Sequence, residues 1–291
     1  MVKTTVIAGN TSKGLGKRVA KRLKATFIPA ETTIFPDGES KITLKKIPKK
    51  GIILVVQSTS PPVDTNLLQL LSMVSQARKF SSKIYAVIPY MGYARQDRSF
   101  LGGEIITISV VAKMLKTAGA KKIIVVDIHS KIALKHFKIQ VENVSAIPKL
   151  VNYFKRIKLK NPLVVSPDAG GSSRAKEFAM QFNSNFTSLK KYRNRKTGKV
   201  KIQSSKMDVK NRDIILVDDM ISSGGSIIKA TQFLKKQGAG RIFVACSHAI
   251  LINDAEKKIR KAGVREIVST NTISGRSAKV DISDIIAKSI K

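Results

Sequence analysis

The sequence predicts an α/β protein of two similar domains, each a mostly parallel sheet flanked by helices. Three observations predict it. Short apolar, β-branched runs alternate with longer amphipathic stretches, the rhythm of strand–helix–strand units. The 291 residues amount to about two domains. Finally, two segments recur in the same order. Ser82-Lys83-Ile84-Tyr85-Ala86-Val87 is echoed by Gly240-Arg241-Ile242-Phe243-Val244-Ala245, and Ala118-Gly119-Ala120-Lys121-Lys122-Ile123-Ile124-Val125 by Ala262-Gly263-Val264-Arg265-Glu266-Ile267-Val268. Each time a helix ends at a small residue, a basic residue follows and a buried strand begins, so the halves read as a duplication. The expected domains are 1–142 and 143–291, with a last helix at Asp281–Ile290 free to return to the first.

In chain order, the β-branched runs place strands at Thr5–Ala8, Ile52–Gln57, Ile84–Pro89 and Ile123–Asp127 in the first half. The amphipathic stretches between them place helices at Gly16–Lys24, Thr65–Phe80 and Gly103–Thr117. The second half opens with a helix at Ser145–Ile157, then strands at Leu163–Ser166, Ile214–Asp218, Ile242–Ser247 and Ile267–Thr270. Helices at Gly171–Phe182, Gly225–Gln237 and Asp254–Ala262 join them. In parallel sheets of this kind ligands bind beyond the carboxyl ends of the strands.

Composition narrows the function classes. At 43% hydrophobic the chain has material for real cores, which excludes wholesale disorder. A single cysteine, Cys246, excludes a disulfide scaffold and a Cys-based zinc site, and its place in a strand pattern makes it a core residue. The longest apolar runs, such as Ile52–Val56, are too short to cross a bilayer, and the opening residues carry no secretory signal; a cytoplasmic protein is expected. The net charge of +35 favours anionic partners, but the excess is spread through the body rather than gathered in a tail. No zinc-finger spacing, aromatic RNA-binding pattern or basic zipper accompanies it, so nucleic acid is not the expected partner.

In so basic a chain the acids mark positions. Asp37, Glu39, Asp97, Asp127, Asp168, Asp218 and Asp219 all fall at expected strand ends. The sharpest segment is Val217-Asp218-Asp219-Met220-Ile221-Ser222-Ser223-Gly224-Gly225-Ser226. A buried strand ends in two acids, and a Ser/Gly loop then opens a helix. Glycines admit a phosphate to the backbone N–H groups, serine hydroxyls add donors, and the helix start is electropositive. Adjacent carboxylates accept hydrogen bonds from sugar hydroxyls or sit near magnesium. Together they describe a pocket for a phosphorylated sugar.

This segment resembles the ribose-phosphate motif of type I phosphoribosyltransferases and of ribose-phosphate pyrophosphokinases, and other segments favour the pyrophosphokinase family. Phe35-Pro36-Asp37-Gly38-Glu39-Ser40 is similar to its adenine-binding loop, and Pro89-Tyr90-Met91-Gly92-Tyr93-Ala94-Arg95-Gln96-Asp97-Arg98 to its ATP-contacting segment. Asp127-Ile128-His129-Ser130 resembles its magnesium-site Asp-x-His, Ser166-Pro167-Asp168-Ala169-Gly170-Gly171 a second metal and substrate loop, and Thr270-Asn271-Thr272-Ile273 a C-terminal signature.

The resemblance implies two domains of the type I phosphoribosyltransferase-like fold. It implies transfer of the diphosphoryl group of ATP to the C1 hydroxyl of ribose 5-phosphate, giving 5-phosphoribosyl 1-pyrophosphate and AMP with Mg2+. ATP would be held by Asp37, Gly38, Glu39, Arg95 and Gln96, and ribose 5-phosphate by Asp218, Asp219, Ser222, Ser223, Gly224, Gly225, Ser226 and Arg193. The metal would lie at His129, Asp168 and Asp127, the Asp127–His129 pair facing one way by strand alternation. The family's catalytic Lys-x-Arg falls on Lys191 and Arg193, in a basic loop read as a flap over ATP, with Lys190, Arg195 and Lys196 as neighbouring candidates. A homo-oligomer built from dimers, its ATP site shared between subunits, is implied as well. Two departures stand out: Ser222 replaces the usual first acid of the loop, as in archaeal-type members, and Lys135-His136-Phe137 replaces a Gly-Phe-Phe ending. A non-catalytic synthetase-like subunit and a nucleic-acid-binding regulator on the same fold remain the alternatives.

Overall fold

The computed structural model describes residues 3–48, 50–193, 200–203 and 208–290. They form two compact units, Met1–Ser145 with Asn271–Ser274 and Asp281–Lys291, and Ala146–Thr270 with Gly275–Val280. Among the described residues no helix is long and apolar enough to cross a membrane.

The first unit runs β1 (Thr4–Ala8), α1 (Lys13–Leu23), β2 (Thr26–Ile34), β3 (Ser40–Leu44), β4 (Ile52–Val56), α2 (Val63–Arg78), β5 (Lys83–Ile88), α3 (Thr107–Ala118), β6 (Lys122–Val126) and β7 (Gln140–Val144). Its sheet has the order β3-β2-β1-β4-β5-β6-β7, parallel except for β3. The second runs α4 (Ile147–Phe154), β8 (Leu163–Ser166), α5 (Ser172–Phe182), β9 (Asn185–Ser188), β10 (Lys190–Arg193), β11 (Val200–Gln203), β12 (Ile214–Ile221), α6 (Gly225–Lys236), β13 (Ile242–Ala249), α7 (Ala255–Lys261), β14 (Val264–Thr270) and β15 (Ala278–Val280). Its parallel sheet has the order β15-β14-β13-β12-β8-β9. The last helix, α8 (Ser283–Lys288), belongs to the first unit, where Arg22 donates to Ser283 Oγ at 2.6 Å and Lys122 to the Ser289 carbonyl at 2.7 Å.

Apart from β3, the two sheets repeat one order: β2-β1-β4-β5-β6-β7 matches β9-β8-β12-β13-β14-β15. The sequence echoes are in register within them. Ile53 pairs with Ile84 as Ile214 pairs with Ile242, and Tyr85 pairs with Lys122 as Phe243 pairs with Glu266. Strands covered on both faces read as continuous apolar runs, as Ile52–Val56 of β4, Ile123–Val126 of β6 and Ile242–Cys246 of β13 do. In the second unit Leu163, Leu216 and Val244 pack on one face, and Phe154, Phe178 and Val217 on the other.

The strands with no expectation lie toward the edges or carry interrupted patterns. β2 contains Pro29, which falls where β2 changes partner: Pro29 is its last residue paired with β1 and Ala30 its first paired with β3. β7 is only half-buried along its length, so its residues show no apolar run. Its ladder with β6 continues to Val144, so the first unit extends to Ser145 rather than stopping at 142. The basic segment expected as a flap begins and ends as a hairpin, with Lys191 opposite Ile202 and Arg193 opposite Val200. Arg195 and Lys196 lie outside the described residues.

Candidate active site

In each unit the strand order reverses direction at one gap, β1/β4 in the first and β8/β12 in the second, the place where open α/β sheets bind ligands. In the second unit, Asp168 lies two residues past the end of β8, after Pro167, and Asp218 and Asp219 lie in the carboxyl half of β12. The Asp168 carbonyl accepts from Ser166 Oγ (2.7 Å) and Ser188 Oγ (3.0 Å), and its Oδ1 accepts from the Gly171 N–H at 3.3 Å. That N–H opens α5, and a methyl group on Gly171 would sit 3.8 Å from Asp218 Oδ1. The three acids thus converge on one helix start. Burial pushes the Asp218 carboxyl well above its ordinary value, and the nearby Asp219 and Asp168 charges add to the effect. Asp219 is buried, and Arg174 approaches it at 3.3 Å. Buried Cys246 pairs with Asp218 across the sheet, and burial with both neighbouring acids raises its thiol.

After β12 the chain turns through Ser222 and Ser223 into α6, whose N-cap Gly224 has φ 77°. A side chain there would be strained and would also meet Ile259 at 2.7 Å. No acid lies in the first turn of α6, Ser223 and Gly225 are exposed, and Ser222 and Ser226 are half-buried. The opening of α6 therefore offers an anion backbone N–H groups and the positive end of a helix.

The backbone of Lys191 is set by the same end of the sheet. Leu189 donates its N–H to the Ser166 carbonyl at 3.0 Å, and β10 begins at the next residue.

In the first unit, Asp37, Gly38 and Glu39 form the exposed turn between β2 and β3, closed by the Phe35 N–H to the Glu39 carbonyl and the Glu39 N–H to Asp37 Oδ1. Arg95 and Gln96 are exposed on the loop after β5, and next to them Asp97 is buried. Burial works to raise the Asp97 carboxyl, but hydrogen bonds from Ser130 and Arg98 outweigh it and hold it below its ordinary value. His136 contacts the Asp97 carbonyl at 2.8 Å, a structural role. Asp97 thereby ties the Arg95–Gln96 loop to the Asp127–Ser130 loop.

Strand alternation does not govern Asp127 and His129. β6 stops at Val126, Asp127 takes φ 38°, and Asp127 is buried while His129 is exposed. The Asp127 N–H donates to the Val144 carbonyl and the Ile128 N–H to Asn143 Oδ1. Among the described residues no group of three or more His, Cys, Asp or Glu is placed to hold a metal by itself.

Arg174 carried no expectation. Its signal was a cation in the first turn of a helix, where the dipole disfavours it unless an acid compensates.

A parallel sheet with its acids and Ser-Gly loop at the switch point defines an α/β protein of the phosphoribosyltransferase class, and residues 145–281 match the model of the phosphoribosyl transferase domain. Residues 4–119 match the N-terminal domain of ribose phosphate pyrophosphokinase. The chain belongs to the ribose-phosphate pyrophosphokinase family. It is 35% identical to the ribose-phosphate pyrophosphokinase of Sulfurisphaera tokodaii over 98% of this chain and 99% of that one. The identity is also 35% to that of Methanopyrus kandleri, covering 98% of each. The fold matches the crystal structure of phosphoribosylpyrophosphate synthetase from Mycobacterium smegmatis with a TM-score of 0.86 and 28% identity, over 99% of this chain and 97% of that one. These matches give no support to a non-catalytic subunit or a nucleic-acid regulator.

Proposed function

We propose that this chain makes 5-phosphoribosyl 1-pyrophosphate and AMP from ATP and ribose 5-phosphate; the relatives it matches are named ribose-phosphate pyrophosphokinases. The observation that carries the reading is the switch point of the second unit, where Asp218 and Asp219 precede a Ser-Gly loop opening a helix.

The C1 hydroxyl oxygen attacks the β-phosphorus of ATP, the bond from that phosphorus to the α,β-bridging oxygen breaks, AMP departs and the hydroxyl proton is released. Such transfers depend on positioning and charge stabilisation. Asp218, with Asp219 beside it, accepts hydrogen bonds from the ribose hydroxyls. Ser222, Ser223, Gly224, Gly225 and Ser226 hold the 5-phosphate at the start of α6. Asp37, Gly38, Glu39, Arg95 and Gln96 hold ATP; Arg95 suits phosphate oxygens as a two-pronged donor. Lys191 stabilises charge on the transferring group and Arg193 holds substrate phosphate.

Mg2+ fits the donor chemistry, because Asp168 offers hard carboxylate oxygens from a half-buried position. Asp168 in the second unit, and Asp127 and His129 in the first, are the residues that would hold it, and the ion would neutralise charge on the ATP phosphates. The working form is a cytoplasmic homo-oligomer built from dimers, with the exposed Asp37–Glu39 turn completing a neighbour's ATP site.

The test is AMP formation with magnesium, ATP and ribose 5-phosphate, each omitted in turn. AMP that requires all three, with equimolar phosphoribosyl pyrophosphate, is expected; ADP in its place would refute the reaction.

A further inference from the structure

The two units share one plan, but their switch points have diverged. Because Thr5 pairs with Ile53 as Leu163 pairs with Ile214, counting on along the strands sets Asn10 where the second unit has Asp168. The same count sets Gln57 and Ser58 where it has Asp218 and Asp219. Each of the three carboxylates has a neutral polar counterpart, so this gap has lost the charge that suits hydroxyls or a cation.

The gap is also closed by the chain itself. Gln57, Ser58 and Thr59 are buried. The Ser58 N–H donates to Ser12 Oγ at 2.9 Å, and Ser58 Oγ donates to the Thr272 carbonyl at 2.5 Å while accepting the Tyr90 N–H at 3.1 Å. The Thr59 N–H and Oγ1 both donate to the Tyr90 carbonyl, at 2.9 and 3.1 Å. Thr59 Oγ1 also accepts the Gly92 N–H at 2.7 Å. Residue 92 lies so close that an added methyl group would be 3.0 Å from the Thr59 carbonyl oxygen and 2.8 Å from Val63. The first unit's switch point directs its hydroxyls to the backbone of residues 90–92.

Those residues lead directly to Arg95 and Gln96. The Tyr93 hydroxyl donates to Asp64 in the first turn of α2, and the Gln96 N–H returns to the Tyr93 carbonyl at 2.9 Å. We infer that Ser58 and Thr59 are positioning residues for the nucleotide: the first unit's switch point holds the Tyr90–Gln96 segment in place of a ligand, and sets Arg95 and Gln96 through it. This rests on the reading of Arg95 and Gln96 as ATP-binding residues.

Thr59→Val keeps the side-chain shape and removes the hydroxyl, leaving the Gly92 N–H without its acceptor. A rise of about tenfold in the KM for ATP is expected from a lost buried hydrogen bond, with the KM for ribose 5-phosphate within twofold of wild type. Thr59→Ser, which retains Oγ, should restore the ATP value. If both KM values rise together, or only the melting temperature falls, Ser58 and Thr59 merely stabilise the unit and the inference is overturned. Should Thr59→Val not fold, Ser58→Ala decides, because it removes the acceptor of the Tyr90 N–H; an unchanged KM for ATP overturns the inference. Arg95→Gln, run in parallel, separates the two levels. If it leaves the KM for ATP unchanged, the ATP-binding reading falls and the inference with it. If it raises that KM while Thr59→Val does not, the inference alone falls.

Discussion

Arg174, in the first turn of α5, places Nη1 3.3 Å from Asp219 Oδ1, with side-chain exposures of only 18% and 4%. Two features of the second unit follow from this pair. It sets a positive charge against a buried acid. It also ties the carboxyl half of β12 to the start of α5, where the Asp219 N–H donates to Asp218 Oδ1 at 2.9 Å.

Removing the cation strands the acid. Arg174→Met should destabilise the second unit by about 3–5 kcal/mol, the usual cost of leaving one partner of a buried ion pair alone. Adding Asp219→Asn should recover most of that loss, because the stranded charge is then gone. Urea unfolding of the two single variants and the double variant measures it; a double variant as weak as Arg174→Met would show that the pair is not the cause.

How much of this was legible in the sequence follows from what kind of signal each part leaves. Ile52–Val56 and Ile242–Cys246 pack into the sheets as uninterrupted apolar runs, so their strands and the duplication were readable. Asp218 and Asp219 stood out because acids are scarce in the chain. β2 was hidden by Pro29, which only makes sense once its partner is seen to change there. Ser58 and Thr59 were not legible because their roles come from partners far along the chain, and Arg174 left only the signal of a cation in the first turn of a helix. The Ser58–Thr272 bond joins residues 214 positions apart, and no local pattern announces that.

Asp213 should give the fold an acid limit. It is buried, and it accepts from Arg241 at 2.5 Å and from the Lys160 N–H at 2.7 Å. Burial alone would raise its carboxyl, but these hydrogen bonds prevail and hold it below its ordinary value. The folded state therefore binds this proton more weakly than the unfolded chain. Its contribution is complete above about pH 4, the ordinary aspartate value, and is lost as pH falls through the lowered one. Asp213→Asn should cost about 1.5–3 kcal/mol at neutral pH, typical of hydrogen bonds to a charged group, and flatten the acid limb of the stability curve. Asp97 and Asp281 are lowered too, so some acid sensitivity remains in the variant. Equal slopes below pH 4 in both proteins would refute the assignment.

Lys191→Ala should lower kcat by roughly 10²–10³-fold, the loss seen when a donor to developing charge is removed, with much less change in either KM. The split follows from a group that acts on charge appearing during transfer rather than on the bound substrates. Steady-state rates of AMP formation decide it. A variant within threefold of wild type would move the role to a neighbour such as Lys190.

The loop before α6 should be intolerant of any side chain at its cap. Gly224 has φ 77°, where a Cβ is strained, and the added methyl group would also meet Ile259 Cδ1 at 2.7 Å and Cγ1 at 2.9 Å. Ile259 is fully buried, so it has little room to withdraw. The backbone must then shift, and the N–H groups at the start of α6 shift with it. Gly224→Ala should therefore raise the KM for ribose 5-phosphate by tenfold or more, because a misplaced anion site loses about 1–2 kcal/mol of binding for each charge-assisted hydrogen bond broken. ATP held by the other unit's loops should be unaffected. Measuring both KM values in Gly224→Ala, with Gly14→Ala in α1 as the control, tests this, since Gly14 has no positive φ, lies outside the phosphate loop and the nearest atom to its added Cβ is 3.7 Å away. If the two variants bind ribose 5-phosphate equally well, the phosphate is not held where α6 begins.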